Sequence, residues 1–104
     1  MDIVVAFQDR NASEQLAWLA RRTLTQALDR FAARIRDITV RIRDANGSKG
    51  GIDQHCSLAL RVAGGRELHL HDTDADAAPA LHRLAHRAAR LLRETFAKAR
   101  QRRS

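Results

Sequence analysis

The sequence predicts an α+β fold, in which a four-stranded mixed sheet carries two helices on one face in the order β-α-β-β-β-α. Four segments, near residues 3–7, 38–42, 56–62 and 68–70, have the β-branched or alternating apolar pattern that is typical of strands. Two other segments repeat apolar residues every three or four positions, as amphipathic helices do. The later strands have one apolar face each, so we expect helices on that face and water on the other.

The first strand and the first helix lie near the N-terminus. Residues 3–7 form a short β-branched run, and Ser13 is suited to cap a helix because its hydroxyl can accept a backbone N–H. A long apolar stripe follows, made of Leu16, Leu19, Ala20, Thr23, Leu24, Ala27, Leu28, Phe31 and Ile35. A helical connection of more than about 20 residues allows the first two strands to pair in parallel.

Three antiparallel strands are predicted next. A turn-rich stretch over residues 44–53 separates the first two, and the sequence Ala-Gly-Gly-Arg over 63–66 is a hairpin signal before the third. The side chains expected to face the helices are Ile38, Val40, Ile42, Cys56, Leu58, Leu60, Val62, Leu68 and Leu70.

The last helix is predicted to begin with Asp72, Asp74 and Asp76, since acidic side chains favour a helix N-terminus. Pro79 is tolerated in a first helical turn. An apolar stripe of leucine and alanine faces the core, and the cations fall on the opposite arc. We expect residues 1–104 to form a single domain with a disordered basic tail over about 101–104.

The net charge of +7 equals that of the last segment alone. Residues 82–104 contain eight cations and Glu94, whereas the preceding residues contain eleven basic and eleven acidic side chains. A localised positive field attracts polyanions, of which the phosphate backbone of nucleic acid is the commonest. A solvated helical face with a basic tail is the alternative interpretation of the same charges.

Several function classes are disfavoured by the composition. One cysteine, Cys56, excludes an internal disulfide and fits a reducing compartment, and no apolar run approaches a membrane span, so we expect a cytoplasmic protein without membrane contact. His82 and His86 are spaced i, i+4 but lack the glutamate of a zinc protease motif. We find no catalytic pairing of nucleophile and base, and expect no enzyme, metal, cofactor or small-molecule substrate.

The order of elements, the Asn-Gly and Gly-Gly hairpin positions and the basic closing helix resemble the bacterial ribosome hibernation promoting factor family, also called ribosome-associated inhibitor A or sigma-54 modulation proteins. The resemblance is carried by residues 44–56 and 64–90, including the Gly-Gly-Arg-Glu-Leu-His run over 64–69, and Arg87 and Arg90 fall where members carry cations. It implies a short-form member that binds the small ribosomal subunit, contacts 16S rRNA phosphates and silences translation during slow growth.

The predicted RNA-binding surface is the outer face of the last helix, with Arg83, Arg87, Arg90, Arg93 and Lys98. Cations three or four residues apart rise about 5 Å, close to the phosphate spacing of a nucleic acid strand. Three further cations extend the prediction, namely Arg21 and Arg22 on the first helix and Lys49 in the glycine-rich stretch. A second candidate surface is the wet sheet face, which carries Arg41, Arg43, Arg61 and His69.

Two alternative functions stay open. A general double-stranded RNA-binding domain also packs helices on an antiparallel sheet, although it reads α-β-β-β-α. The other alternative is a protein-interaction module that uses Trp18, the single tryptophan, which lies off the apolar stripe of its helix. We expect a monomer, with a weak dimer through Trp18 as the alternative.

Overall fold

Both helices lie on one face of a four-stranded sheet, as the sequence predicts. The structure is a computed structural model that describes residues 1–8, 13–46 and 52–103. Its elements are β1 (Asp2–Phe7), α1 (Glu14–Leu28), a 3-10 helix (Asp29–Arg34), β2 (Ile35–Asn46), β3 (Ile52–Val62), β4 (Glu67–Asp74) and α2 (Ala77–Arg103). The strands lie side by side in the order β1-β2-β3-β4.

The sheet is mixed. β1 pairs with β2 in parallel, with Val5 opposite Val40, which confirms the predicted crossover through α1. β2 pairs with β3, and β3 with β4, in antiparallel registers that place Val40, Leu58 and Leu70 in one row. Side chains alternate between the two faces of a strand, so this row and its neighbours at every second position face the helices.

The core fills the space between the sheet and the helices. Ile38, Leu58 and Leu60 from the sheet are fully buried, and so are Leu84 and Leu92 from α2. α1 contributes a shorter buried stripe of Ala20, Thr23, Leu24 and Leu28. The core therefore confirms the apolar faces predicted for both helices and for the three antiparallel strands.

α1 begins where the sequence predicts and ends earlier. The backbone N–H of Leu16 donates to Ser13 Oγ at 3.1 Å, which confirms the cap. The helix ends at Leu28 and gives way to the 3-10 helix, and Ile35 is the first residue of β2, opposite Val62. The prediction of one helix through Phe31 and Ile35 was wrong, because a 3-10 turn continues an apolar stripe with nearly the same spacing.

β4 is longer than predicted. Asp72 and Asp74 were expected at the start of the last helix but belong to β4, and α2 begins at Ala77. The period-two alternation of Leu68 and Leu70 continues through both aspartates. Their side chains therefore lie on the helix side of the strand, beside the first turns of α2.

The predicted hairpin at residues 63–66 is confirmed. Gly64 and Gly65 have φ values of +96° and +88°, a backbone conformation that residues with a Cβ rarely adopt. The N–H of Val62 donates to the carbonyl of Arg66 at 2.9 Å and closes the turn. The predicted turn-rich stretch over 44–53 is shorter in the structure, because β2 continues to Asn46 and β3 begins at Ile52. Residues 47–51 lie outside the described residues.

α2 continues through residues 101–103, where the sequence predicted a tail, and Ser104 lies outside the described residues. Gln and Arg are good helix formers, which accounts for the longer helix. At 27 residues, α2 is about 40 Å long. No helix in the described ranges combines the length and apolarity that a membrane span requires.

The two helices run in the same direction. Leu16, near the start of α1, lines one hollow together with residues 75–79 at the start of α2. Farther along, the rings of Phe31 and Phe96 lie 5.8 Å apart. One end of the molecule therefore holds both helix starts, and the other end holds the 3-10 helix, the hairpin at 63–66 and the last turns of α2.

Candidate nucleic-acid interface

The outer face of α2 presents the predicted cations to solvent. Leu81, Leu84, Ala88 and Leu92 are buried against the sheet and α1. The side chains at the five predicted positions lie on the other side and are exposed or half-buried; they are Arg83, Arg87, Arg90, Arg93 and Lys98. The helix thus separates apolar from cationic side chains, as its sequence periodicity predicts.

Arg83 is held by two carboxylates of β4. Its Nε lies 2.8 Å from Asp72 Oδ2, and its terminal nitrogen lies 2.9 Å from Asp74 Oδ2. The hydrogen bond from Arg83 lowers the pKa of Asp72 below its ordinary value of 3.8. The pKa of Asp74 is also lowered, first by the backbone N–H of Asp76 and then by Arg83. Arg83 therefore contributes little net positive charge to the surface.

Arg87 also reaches β4. Its guanidinium donates to the carbonyl of His71 at 3.0 Å and lies 3.8 Å from Asp72 Oδ2. Both arginines in the first half of the helix thus anchor α2 to the outer strand of the sheet. An RNA phosphate at either position would compete with an aspartate that is already in place.

The second half of α2 differs from the first. Arg90, Arg93, Lys98 and Arg100 are exposed. Within the described residues, none of them forms an ion pair with a carboxylate. Their charge is available to an anion in solution, so the stronger positive field lies beyond Arg87.

Cations from other segments join this half of the helix. Arg34 of the 3-10 helix and Arg100 line one hollow, and Arg66 of the hairpin lines a second hollow together with Lys98. We call these four residues, Arg34, Arg66, Lys98 and Arg100, the basic end. Arg34 and Arg66 lie outside the basic C-terminal segment and were not selected from the sequence. The predicted order of elements brings both to the end of the last helix, and this was the signal that could have found them.

Acidic residues gather at the opposite end of the molecule. Asp44, opposite Gln54, lies near the end of β2, and Asp53, opposite Ala45, lies near the start of β3. Asp74 ends β4. Glu14 and Asp76 stand at the starts of the two helices. These acidic side chains lie at the end of the molecule opposite the basic end.

The remaining predicted cations are placed differently. Arg21 donates to the carbonyl of Ile3 and so covers the free edge of β1. The guanidinium of Arg22 lies 5.0 Å from the ring centroid of Trp18, a side chain that is 58% exposed. Lys49 lies outside the described residues. The structure does not bring Arg21 or Arg22 to the basic end.

The open face of the sheet carries the polar side chains predicted for it. Arg41, Arg43 and His69 are exposed there, and Arg61 is paired with Asp37. Arg61 Nε lies 2.9 Å from one carboxylate oxygen of Asp37 and 3.1 Å from the other. This hydrogen bond lowers the pKa of Asp37 and leaves Arg41 and Arg43 as the main cations of the face.

Cys56 is buried in the core, as predicted. Desolvation raises its pKa to about 11, so the thiol is protonated near neutral pH and is not prepared for nucleophilic attack. Across the described part of the chain, no three His, Cys, Asp or Glu side chains converge as metal ligands would.

Comparison with known proteins shows the fold. No protein-family model matches the chain, and no curated protein sequence matches it. Among solved structures, it is similar to a ribosomal subunit interface protein from Coxiella burnetii, with a TM-score of 0.78 and 16% identity over 93% of this chain and 99% of that one. It is also similar to the Protein Y N-terminal domain of Thermus thermophilus, with a TM-score of 0.68 and 14% identity over 91% and 99%. These likenesses confirm the fold that the sequence resemblance implied.

Proposed function

We propose that this protein is a non-enzymatic ribosome-binding factor that inhibits translation by occupying a site on the small subunit. The observation that carries the proposal is the gathering, at one end of a fold shared with a ribosomal subunit interface protein, of cations that form no ion pair within the described residues. On this proposal the chain acts in the cytoplasm, where ribosomes are found.

The binding surface that we propose combines the basic end with the exposed cations Arg90 and Arg93. Arginine suits this role because its planar guanidinium can make two parallel hydrogen bonds to one phosphate. Each neutralised phosphate releases counterions, so affinity should fall with salt in proportion to the number of contacts. Arg83 and Arg87 support this surface indirectly. Their contacts with β4 fix α2 to the sheet and so hold its outer face in place.

Co-sedimentation with ribosomal subunits across a salt series tests the proposal. We expect the protein to pellet with small subunits, and we expect naked duplex RNA in excess not to displace it. Easy displacement would favour a general double-stranded RNA binder. Binding that does not depend on RNA or on salt would favour a protein-interaction module that uses Trp18.

A pair of charge-matched variants locates the surface. Arg90→Glu with Arg93→Glu should lower subunit affinity at least tenfold and reduce the salt dependence. Arg41→Glu with Arg43→Glu changes the net charge equally on the open sheet face and should have a smaller effect. The reverse order of effects would assign the contact to the sheet, and inhibition of cell-free translation should follow the same order as affinity.

A further inference from the structure

The basic end contains a concave site next to Phe96. Arg34, Ala63, Phe96, Ala99 and Arg100 line it, and its volume is about 270 Å³. We call it the Phe96 pocket. Its floor is apolar and its two charged side chains are both arginines, so it combines a surface for a flat ring with a preference for negative charge.

Arg34 is held in position at this pocket. Its guanidinium carbon lies 4.8 Å from the ring centroid of Phe96, and its carbonyl accepts the N–H of Ala63 at 2.7 Å. Phe96 in turn packs against Phe31. Since one face of the guanidinium covers Phe96, the opposite face is left for another planar group, and nucleobases stack on arginine in this way.

The neighbouring hollow adds two more cations. It shares Ala63, Phe96 and Ala99 with the Phe96 pocket, has a volume of about 210 Å³, and includes Arg66 and Lys98 in its lining. A ligand with its ring in the Phe96 pocket would thus have the cations of both hollows close by. The pocket is smaller than the roughly 300–1,000 Å³ of sites for whole small molecules, which favours a single ring system that is part of a larger anion.

We propose that the Phe96 pocket takes one unpaired nucleotide of RNA, with the base against Arg34 and the flanking phosphates toward Arg100 and Lys98. Bases within an A-form duplex are stacked and cannot offer a free face, so the ligand is a single-stranded or extruded nucleotide. This inference rests on the proposed function and deepens it, because it adds an unpaired base to the phosphate contacts of the ribosomal site.

Fluorescence anisotropy with a labelled single-stranded hexanucleotide tests the inference, and a blunt duplex of equal phosphate number serves as comparison. Arg34→Lys keeps the positive charge and removes the planar guanidinium on which a base could stack. Stacking of one base is worth about 1–3 kcal/mol, so affinity for the single strand should fall roughly 5- to 150-fold, while affinity for the duplex stays within twofold. Equal, small effects on both RNAs would overturn the proposal.

Arg30→Lys is the matched control. Arg30 lies on the same 3-10 helix with its guanidinium carbon 5.4 Å from the ring centroid of Phe31, and it does not line the Phe96 pocket. We expect it to leave single-strand affinity unchanged. A loss equal to that of Arg34→Lys would mean that the effect is not specific to the residue that lines the pocket, and the pocket would be rejected.

A second pair of variants tests the pocket without altering charge. Ala99→Leu places a larger side chain in the lining and should weaken single-strand binding, whereas Ala97→Leu, an exposed position outside the lining, should not. Both residue types are good helix formers, so α2 should stay folded, which circular dichroism checks. No difference between the two variants would contradict the proposal.

Two further experiments distinguish RNA from a free nucleotide as the ligand, and distinguish failure of the pocket inference from failure of the proposed function. Competition by AMP that depends on Arg34, without any effect of Arg34→Lys on RNA binding, would assign the pocket to a free nucleotide and overturn the RNA assignment. If wild type pellets with ribosomal subunits and Arg34→Lys pellets equally, the pocket inference fails and the proposed function stands. If wild type does not pellet but binds the single strand through Arg34, the proposed function fails and the pocket stands.

Discussion

Arg83 shows how a surface arginine can belong to the fold. It bridges Asp72 and Asp74 on β4. Its hydrogen bond is the main cause of the lowered pKa of Asp72, and it adds to the backbone N–H of Asp76 in lowering the pKa of Asp74. Carboxylates with a lowered folded-state pKa stabilise the protein above their unfolded value of 3.8. That contribution is lost as the pH falls through the lowered pKa values.

We expect Arg83→Gln to lower the thermal midpoint by about 2–6 °C at neutral pH, because Asp74 loses its cation and Asp72 keeps only the longer contact with Arg87. The difference in thermal midpoint between the variant and wild type should become smaller as the pH is lowered from about 4 toward 2, where both carboxyls become protonated. Thermal unfolding by circular dichroism across this range measures it. Arg41→Gln, which removes an exposed cation from the sheet face, should show no such narrowing, and a pH-independent difference for Arg83→Gln would contradict the assignment.

Cys56 allows a test of burial. With a pKa of about 11, roughly one thiol in a thousand is ionised at pH 8, and the core also excludes reagent. We expect a disulfide reagent such as DTNB to modify the folded protein at least 100-fold more slowly than the urea-unfolded protein. Comparable rates in the two states would show that the strand opens locally.

The sequence places single residues on the correct side of an element better than it identifies their partners. The alternation of β3 predicts Cys56 in the core, and the helical period of α2 predicts Arg83 and Arg87 on its outer face. The ion pairs of these arginines could not be predicted, because Asp72 and Asp74 were assigned to a helix start. Partners depend on where an element ends, and acidic residues fit both a strand end and a helix N-terminus.

At the scale of the element, α1 depends on how its first turn is closed. The Oγ of Ser13 accepts the N–H of Leu16, one of the four donors that a helix start leaves without a partner. The other end of α1 has no comparable stop signal, since the chain continues into the 3-10 helix. The apolar stripe runs through Phe31 into Ile35, so periodicity alone could not show that the α-helix ends at Leu28.

Ser13→Ala should reduce the free energy of unfolding by about 1 kcal/mol, within a range of about 0.5–2 kcal/mol, because the cap is lost. Urea unfolding followed by circular dichroism measures the change. Gln15→Ala, at an exposed position of the same helix, is the control and should change stability by less than about 0.5 kcal/mol. Equal effects would mean that Ser13 Oγ does not stabilise the helix.

At the scale of the whole molecule, the fold brings cations from separate segments together at one end. Arg34 and Arg66 are far apart in sequence, yet the fold brings both to the last turns of α2. The order of elements and the parallel pairing of β1 with β2 were predictable from the sequence. The basic end was not predictable in the same way. The count of charges along the chain points to the C-terminal segment only, because acidic residues nearby in sequence balance cations such as Arg34 and Arg66 in that count.

Replacing Arg66 and Lys98 with Gln should lower the salt slope of RNA binding by about 1.4–1.8, since two phosphate contacts are lost. Replacing Arg41 and Arg43 with Gln removes the same charge from the open sheet face and should change the slope less. Anisotropy titrations at several salt concentrations measure both slopes. Equal slopes for the two variants would indicate a diffuse attraction to the whole molecule rather than a contact at the basic end.

The common direction of α1 and α2 has a consequence for every variant at the basic end. Peptide dipoles add along a helix, so the two parallel helices place their partial negative poles at the same end of the protein. Lys98 and Arg100 lie in the last turns of α2 and offset that pole, while Glu14 and Asp76 offset the positive pole at the opposite end. The cations proposed to meet RNA therefore also stabilise the free protein. Glutamate substitutions there would weaken the helix and the interface together, whereas glutamine substitutions change the interface with less cost to the fold.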